Sequence, residues 1–168
     1  MNPTLIVIDE VLSFEERILL YTSFFSSKNC IPSFWKEKDD LLNYYPINKL
    51  LQISARHFDF NQFSGAEIWT HNLSAPGFHY DKDESLYQKY GVNVFPLCTI
   101  VYYQEISSQG ENLNNFKYSL STQDTSVIPK ENRCVIMPPG LLHGSGGIGG
   151  IRKLIAISPW IEKPIGLN

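Results

Sequence analysis

The sequence predicts a mainly β domain: a jelly-roll, or double-stranded β-helix, with N-terminal helices packed on one sheet. Three observations carry that expectation. Helical signatures fall before Asn61; beyond it the chain breaks into short apolar or alternating runs separated by Gly, Pro, Asn and Ser. At 168 residues the chain fits one domain, enough to hide roughly 70% of the surface its unfolded form exposes. We therefore expect a helical support over residues 1–60 and a jelly-roll core over 61–168, with no repeat, low-complexity tract or linker to divide them.

Leu5 to Ile8 is short, apolar and β-branched, hence a strand. Ser13 with Glu16 three residues later is a capping-box signature. The helix it opens should run from Phe14 to Phe25 and bury Ile18, Leu19, Tyr21 and Phe25. A second helix is expected from Ile47 to His57, behind Pro46 in the first turn. Strands are then expected at Ala66 to Asn72, Gly77 to Tyr80, Cys98 to Gln104, Asn115 to Leu120, Cys134 to Met137 and Lys153 to Ser158, with a polar turn over Ser107 to Asn115.

Composition removes several functions. With 14 Lys and Arg against 17 Asp and Glu, the net charge of -3 gives no electrostatic reason to bind nucleic acid or an anionic membrane. No apolar run reaches spanning length, and the apolar patch before Asp9 is too short for a signal peptide. Cys30, Cys98 and Cys134 are odd in number and two lie in apolar runs, which fits reduced thiols and the cytoplasm. A small-molecule substrate is favoured, with a protein or peptide as the other option.

The chemistry concentrates in His79-Tyr80-Asp81, His143 and Arg152. Two residues apart on a strand point to the same side, so His79 and Asp81 can share one ion while Tyr80 faces away. His143 follows Met137-Pro138-Pro139-Gly140, a turn that can bring it in from another strand. Two imidazoles and a hard carboxylate suit one face of an octahedral Fe(II) or Mn(II) and leave three positions open. A structural zinc site would favour four ligands and thiolates. A His-x-Asp pair alone is weak, because chance supplies it readily; the combination with His143 and Arg152 gives it meaning. Arg152 sits between Gly146-Gly147-Ile148-Gly149-Gly150 and the apolar run Leu154 to Ile157. A buried guanidinium there needs an anion, and its planar fork matches a carboxylate. The glycine-rich turn is no phosphate loop, since no Lys-Ser or Lys-Thr follows.

These residues resemble the Fe(II)- and 2-oxoglutarate-dependent dioxygenases, in their prolyl-hydroxylase-like branch. The motifs are Phe78-His79-Tyr80-Asp81, Thr99-Ile100-Val101-Tyr102-Tyr103, Gly110-Glu111-Asn112-Leu113, then His143, Arg152 and Trp160, with Val7 to Ser13 as the N-terminal edge. The resemblance spans most of the chain. It implies His79, Asp81 and His143 as iron ligands, Arg152 on the distal carboxylate of 2-oxoglutarate, and Tyr103 and Thr99 supporting that cosubstrate. The implied cofactors are Fe(II) and 2-oxoglutarate, with ascorbate as auxiliary reductant. The implied reaction hydroxylates an unactivated C–H bond of a small or amino-acid-like molecule, releasing succinate and CO2. Asp81 argues against halogenation, which needs that ligand missing.

Two departures bear on substrate. Gln109-Gly110 stands where many relatives carry two glycines, and the segment Lys82 to Gly91 is unusually charged and aromatic, which fits either a lid over a substrate or a solvated loop. The rival readings are a cupin-like metal isomerase, which would favour His-x-His and an extra glutamate, with His71 as the one candidate for an added imidazole, and a binding module that keeps the barrel without turnover.

Overall fold

The computed structural model describes residues 5–26, 31–71, 77–107, 116–120, 123–145 and 151–167. Its elements in order are β1 (Ile6–Ile8), α1 (Phe14–Phe24), β2 (Phe34–Glu37), α2 (Lys38–Asn43), α3 (Tyr45–Ser54), β3 (Gly65–His71), α4 (Glu84–Tyr90), β4 (Thr99–Ser107), β5 (Phe116–Leu120), β6 (Gln123–Val127), β7 (Arg133–Met137), β8 (Leu142–Ser145) and β9 (Ile151–Trp160). Two antiparallel sheets result, one ordered β1-β7-β4-β9-β3-β2 and the other β6-β5-β8. The mainly β architecture with a few helices is the expected one. Cys30, Asn72, the Gly110 to Leu113 motif, Asn115 and the 146–150 turn lie outside the described residues.

The central strands of the larger sheet are apolar at nearly every position because both of its faces are covered. On one face Ile100, Tyr102, Cys134, Ile136, Ile155 and Ile157 pack with the helix residues Leu20, Ile47, Leu50 and Leu51. The alternate residues Val101, Tyr103, Val135, Met137, Leu154 and Ala156 form a second cluster, joined by Val127 of β6 and by Leu141 just before β8. Helices thus occupy one face, and the other faces the smaller sheet. Any site built between the sheets must use the odd-numbered residues of β4 and the even-numbered residues of β9.

A β-bulge between Tyr103 and Glu105 changes that phase at one point. Beyond it Glu105 pairs with Lys153, their side chains forming a salt bridge at 2.7 Å, while Ile106 pairs with Arg152. Ile106 therefore still packs into the second cluster, and Arg152 stays on the face of Tyr103 and Leu154.

Helix α1 begins as expected, with the Ser13 side chain accepting from Glu16 N–H and the Glu16 side chain accepting from Ser13 N–H. Its buried side differs from the expected one. Glu16, Leu20 and Phe25 are buried, whereas Ile18, Leu19 and Tyr21 are exposed. Glu16 also takes the Lys49 ammonium of α3 at 2.7 Å, and this fixes the rotation of α1 so that Glu16 and Leu20 face α3. Helix α3 starts earlier and ends earlier than expected, with Pro46 in its first turn and Ser54 folding its hydroxyl back onto Leu50 O at 2.9 Å.

The N-terminal edge is clamped by one buried residue. Asn132 adopts φ 58, a left-handed conformation that asparagine tolerates better than most side chains. Its Oδ1 accepts from Leu12 N–H at 3.0 Å and from Tyr102 O–H at 3.2 Å, and its Nδ2 donates to Leu12 O at 2.9 Å. Outside this clamp Arg133 grips Asp9 with Nε at 2.6 Å and Nη2 at 2.9 Å. Asn132→Ala would leave both Leu12 backbone groups and the Tyr102 hydroxyl without those partners. We expect a loss of roughly 2–4 kcal/mol, read as a lowered denaturant midpoint at unchanged m-value. A loss under about 0.5 kcal/mol would contradict the clamp.

Candidate metal centre

His79 lies in no regular strand of its own; it forms a single antiparallel bridge with His143 of β8. His79 N–H donates to His143 O at 2.8 Å and His143 N–H to His79 O at 2.9 Å. Such a doubly bonded cross-strand pair puts both side chains on the same side of the ladder. The rings accordingly sit 4.5 Å apart between centroids. The expected strand from Gly77 to Tyr80 is thus reduced to its one paired residue.

The bridge depends on a close approach that only glycine allows. A Cβ on Gly144 would lie 2.8 Å from Phe78 N and 2.9 Å from Gly77 C and O. Gly77, on the other side, has open space where its Cβ would be.

Both imidazoles are oriented by the backbone two residues earlier. His79 Nδ1 lies 2.8 Å from Gly77 O, and His143 Nδ1 lies 2.9 Å from Leu141 O. With Nδ1–H donating to those carbonyls, each ring presents the Nε2 lone pair to what lies ahead of it. Ahead of both lies Asp81: His79 Nε2 is 3.4 Å from Oδ1, and His143 Nε2 is 3.4 Å from Oδ2. Ligand atoms of the three residues fall within 4.8 Å of one another. Asp81 and His143 are enclosed, at 11% and 7% side-chain exposure, while His79 at 40% forms the open side.

The charges suit a cation. Burial works against the Asp81 carboxylate, but the His79 and His143 imidazoles and the Thr99 hydroxyl outweigh it and hold its pKa below the ordinary value. His143 is pushed down by its burial and so stays neutral. His79 is pushed up by its hydrogen bond to Asp81, which marks the place where a proton substitutes for a cation.

Thr99, expected beside the cosubstrate, has its Oγ1 donating to Asp81 Oδ2 at 2.7 Å and 3.3 Å from Ser158 Oγ. It fixes the rotation of the carboxylate. Tyr103 is fully buried on the same strand face, four residues on. Arg152 is also buried, and its positive charge helps to lower the pKa of His71, behind the larger effects of burial and of His79.

A cavity of about 560 Å³ opens on the exposed side of the triad. Its walls include His79, Asp81, Ser33, Glu67, Trp69 and His71. Glu67, Trp69 and His71 alternate along β3 and therefore share a face. That period-two pattern of a carboxylate, an indole and an imidazole along one strand is the sequence signal for this wall. His71 does not join the triad: its Nε2 accepts from Trp69 Nε1–H at 3.0 Å.

The charged segment after Asp81 is α4. Asp83 caps it by accepting from Leu86 N–H at 2.8 Å and also takes Ile165 N–H at 2.8 Å, and Gly91 ends it at φ 68. Asp83, buried in these two contacts, is a structural carboxylate. Among the described residues no helix is long and apolar enough to cross a membrane.

No family sequence model matches the chain. No curated protein matches it in sequence. Solved structures do match it in shape. An oxidoreductase of the 2OG-Fe(II) oxygenase family from Burkholderia pseudomallei superposes with a TM-score of 0.66 at 8% identity, over 95% of this chain and 85% of that one. HygX from Streptomyces hygroscopicus, with nickel and 2-oxoglutarate bound, gives 0.60 at 14% identity over 93% and 81%. The viral collagen prolyl hydroxylase of Paramecium Bursaria Chlorella virus-1, as its 2OG complex, gives 0.59 at 17% identity over 92% and 94%. The chain has the fold of the 2-oxoglutarate- and Fe(II)-dependent oxygenases.

Proposed function

We propose that the protein is an Fe(II)- and 2-oxoglutarate-dependent oxygenase acting on a small molecule or an amino-acid-like group. The observation that carries the reading is the convergence of two backbone-oriented Nε2 lone pairs and one Thr99-held carboxylate, in a fold shared with structures that have 2-oxoglutarate bound. In this reading the two sheets are the walls of a double-stranded β-helix, and the chain is one domain with residues 1–60 as its support. The enclosed thiols of Cys98 and Cys134 agree with a cytoplasmic setting.

The donor set fits ferrous iron: two neutral nitrogens and one hard oxygen from a single side, and no thiolate in the cluster. When bound, Fe(II) and 2-oxoglutarate supply oxidative decarboxylation coupled to hydroxylation of an unactivated C–H bond, with succinate and CO2 released. The chain's own residues do the rest. His79, Asp81 and His143 hold one face of the ion. Gly77 O, Leu141 O and Thr99 keep the three ligands from turning away. Arg152 offers a planar fork to the distal carboxylate, with Tyr103 beside it on the same face. Val101, Val135, Met137 and Ala156 keep the floor dry, which confines the reaction to the bound substrate. The cupin-like isomerase would add a glutamate or an imidazole to the cluster: His71 is committed to Trp69, and Glu67 lines the cavity without joining the three grouped residues.

The direct test is succinate release from 2-oxoglutarate with Fe(II) and ascorbate, compared between the native protein and Asp81→Ala. Native turnover should exceed the variant by at least about 100-fold; equal rates would remove the oxygenase reading. A second expectation concerns Gly144. Gly144→Ala should push the His79 segment away from β8 and weaken Mn(II) binding on the order of 10- to 100-fold by calorimetry, as other losses of ligand orientation do. Gly77→Ala, with open space around its Cβ, should bind as the native protein does. Equal affinities in all three proteins would show that the bridge does not set the site.

A further inference from the structure

We infer that the cavity beside the triad selects a substrate bearing a positive charge, an alkylammonium or guanidinium group, and that Glu67 is the carboxylate that receives it. This rests on the oxygenase reading above and names the substrate class for the same site.

Charges on the cavity wall are not balanced. Glu67 projects from β3 into a space of about 560 Å³, a size suited to a small metabolite or to one long side chain. Among the described residues the one hydrogen bond it accepts comes from Ser33 Oγ, and no basic side chain pairs with it. The cations nearby are spoken for. The Lys82 ammonium sits 3.3 Å from the centre of the Tyr87 ring and 3.9 Å from Glu84 Oε1. His71 accepts the Trp69 indole N–H on Nε2, and its burial disfavours a charge. The Asp81 carboxylate accepts from Thr99 and faces both imidazoles of the triad. What remains without a match is Glu67.

A half-buried carboxylate in that position is costly unless something completes it. Burial first, opposed by the Ser33 bond, and then the like charges of Asp81 and Asp83 push the Glu67 pKa upward. A ligand cation in the cavity would reverse this and gain a charge-assisted hydrogen bond in partly dry surroundings. Trp69 lies two residues along the same strand face and also lines the cavity, so an aromatic wall is present for the cation or its alkyl stem. Glu67 would then be a positioning residue, holding one end of the substrate so that another part lies at the triad.

The test is calorimetry on the protein loaded anaerobically with Mn(II) and 2-oxoglutarate, using cadaverine, agmatine and Nα-acetyl-lysine amide as probes. Each is compared with its neutral counterpart: 1,5-pentanediol, N-butylurea and Nα-acetyl-norleucine amide. At least one cationic probe should bind the native protein about tenfold or more tightly than its counterpart, and that preference should weaken as NaCl is raised. Glu67→Gln should remove the preference while keeping Mn(II) and 2-oxoglutarate affinity and the native melting temperature to within a few degrees. No preference in the native protein would overturn the inference without any variant, as would a preference that survives Glu67→Gln. If Mn(II) and 2-oxoglutarate fail to bind the native protein, the oxygenase reading fails instead, and the same titrations on metal-free protein still decide whether Glu67 receives a cation.

Discussion

The two hydrogen bonds that join His79 to His143 are the constraint on which the site rests. They link a short segment after β3 to β8 of the smaller sheet, residues 64 positions apart in sequence. Because the pair is antiparallel and doubly bonded, two imidazoles must stand side by side. The period of the extended chain then sends Asp81 to the same side as His79. The carbonyls of Gly77 and Leu141 choose which ring nitrogen faces inward, and Thr99 of the larger sheet turns the carboxylate to meet them. Three side chains that could hold an ion are thus fixed by backbone geometry and one hydroxyl.

The remainder of the fold keeps that arrangement in place. Helices α1, α2 and α3 lie over β2, β3 and the outer face of the larger sheet and take up Leu20, Leu41, Ile47 and Leu50, so the inner face is left to the triad and the smaller sheet. The bulge in β4 lets Ile106 follow Tyr103 onto that inner face, opposite Arg152. Asn132 ties the N-terminal edge to β4 and β7 at the end of the sheet remote from the triad, which separates stability from function: the clamp carries no ligand, and the triad carries little of the core.

Much of this was legible in the sequence because it is written in short periods. The apolar runs at Cys134 to Met137 and Lys153 to Ser158 are buried on both faces and stand out at once, and His79-x-Asp81 declares its shared side by spacing alone. The Ser13 and Glu16 capping box was readable for the same reason. What escaped depends on tertiary partners. Phe34–Glu37 is a strand only because it pairs with β3, and Gln123–Val127 is too polar to look like one. Leu142–Ser145 is four residues with a glycine, and its glycine matters through a neighbour 67 positions earlier, at Gly77. Helix α4 buries none of its residues, so no apolar stripe betrays it, although Asp83 and Gly91 mark its two ends. The buried face of α1 is not a local property, because Lys49, on another helix, pairs with Glu16 and sets its rotation. The cavity is assembled from β3, the 31–33 segment and the 79–84 segment, and no local pattern contains such a wall.

The central claim is spatial, and diffraction tests it most directly. A crystal soaked anaerobically with Mn(II) and 2-oxoglutarate should give one strong anomalous peak, bonded to His79 Nε2, His143 Nε2 and an Asp81 carboxylate oxygen, with the far carboxylate of the keto acid on the Arg152 guanidinium. A peak elsewhere, or a keto acid bound with Arg152 out of reach, would contradict the account.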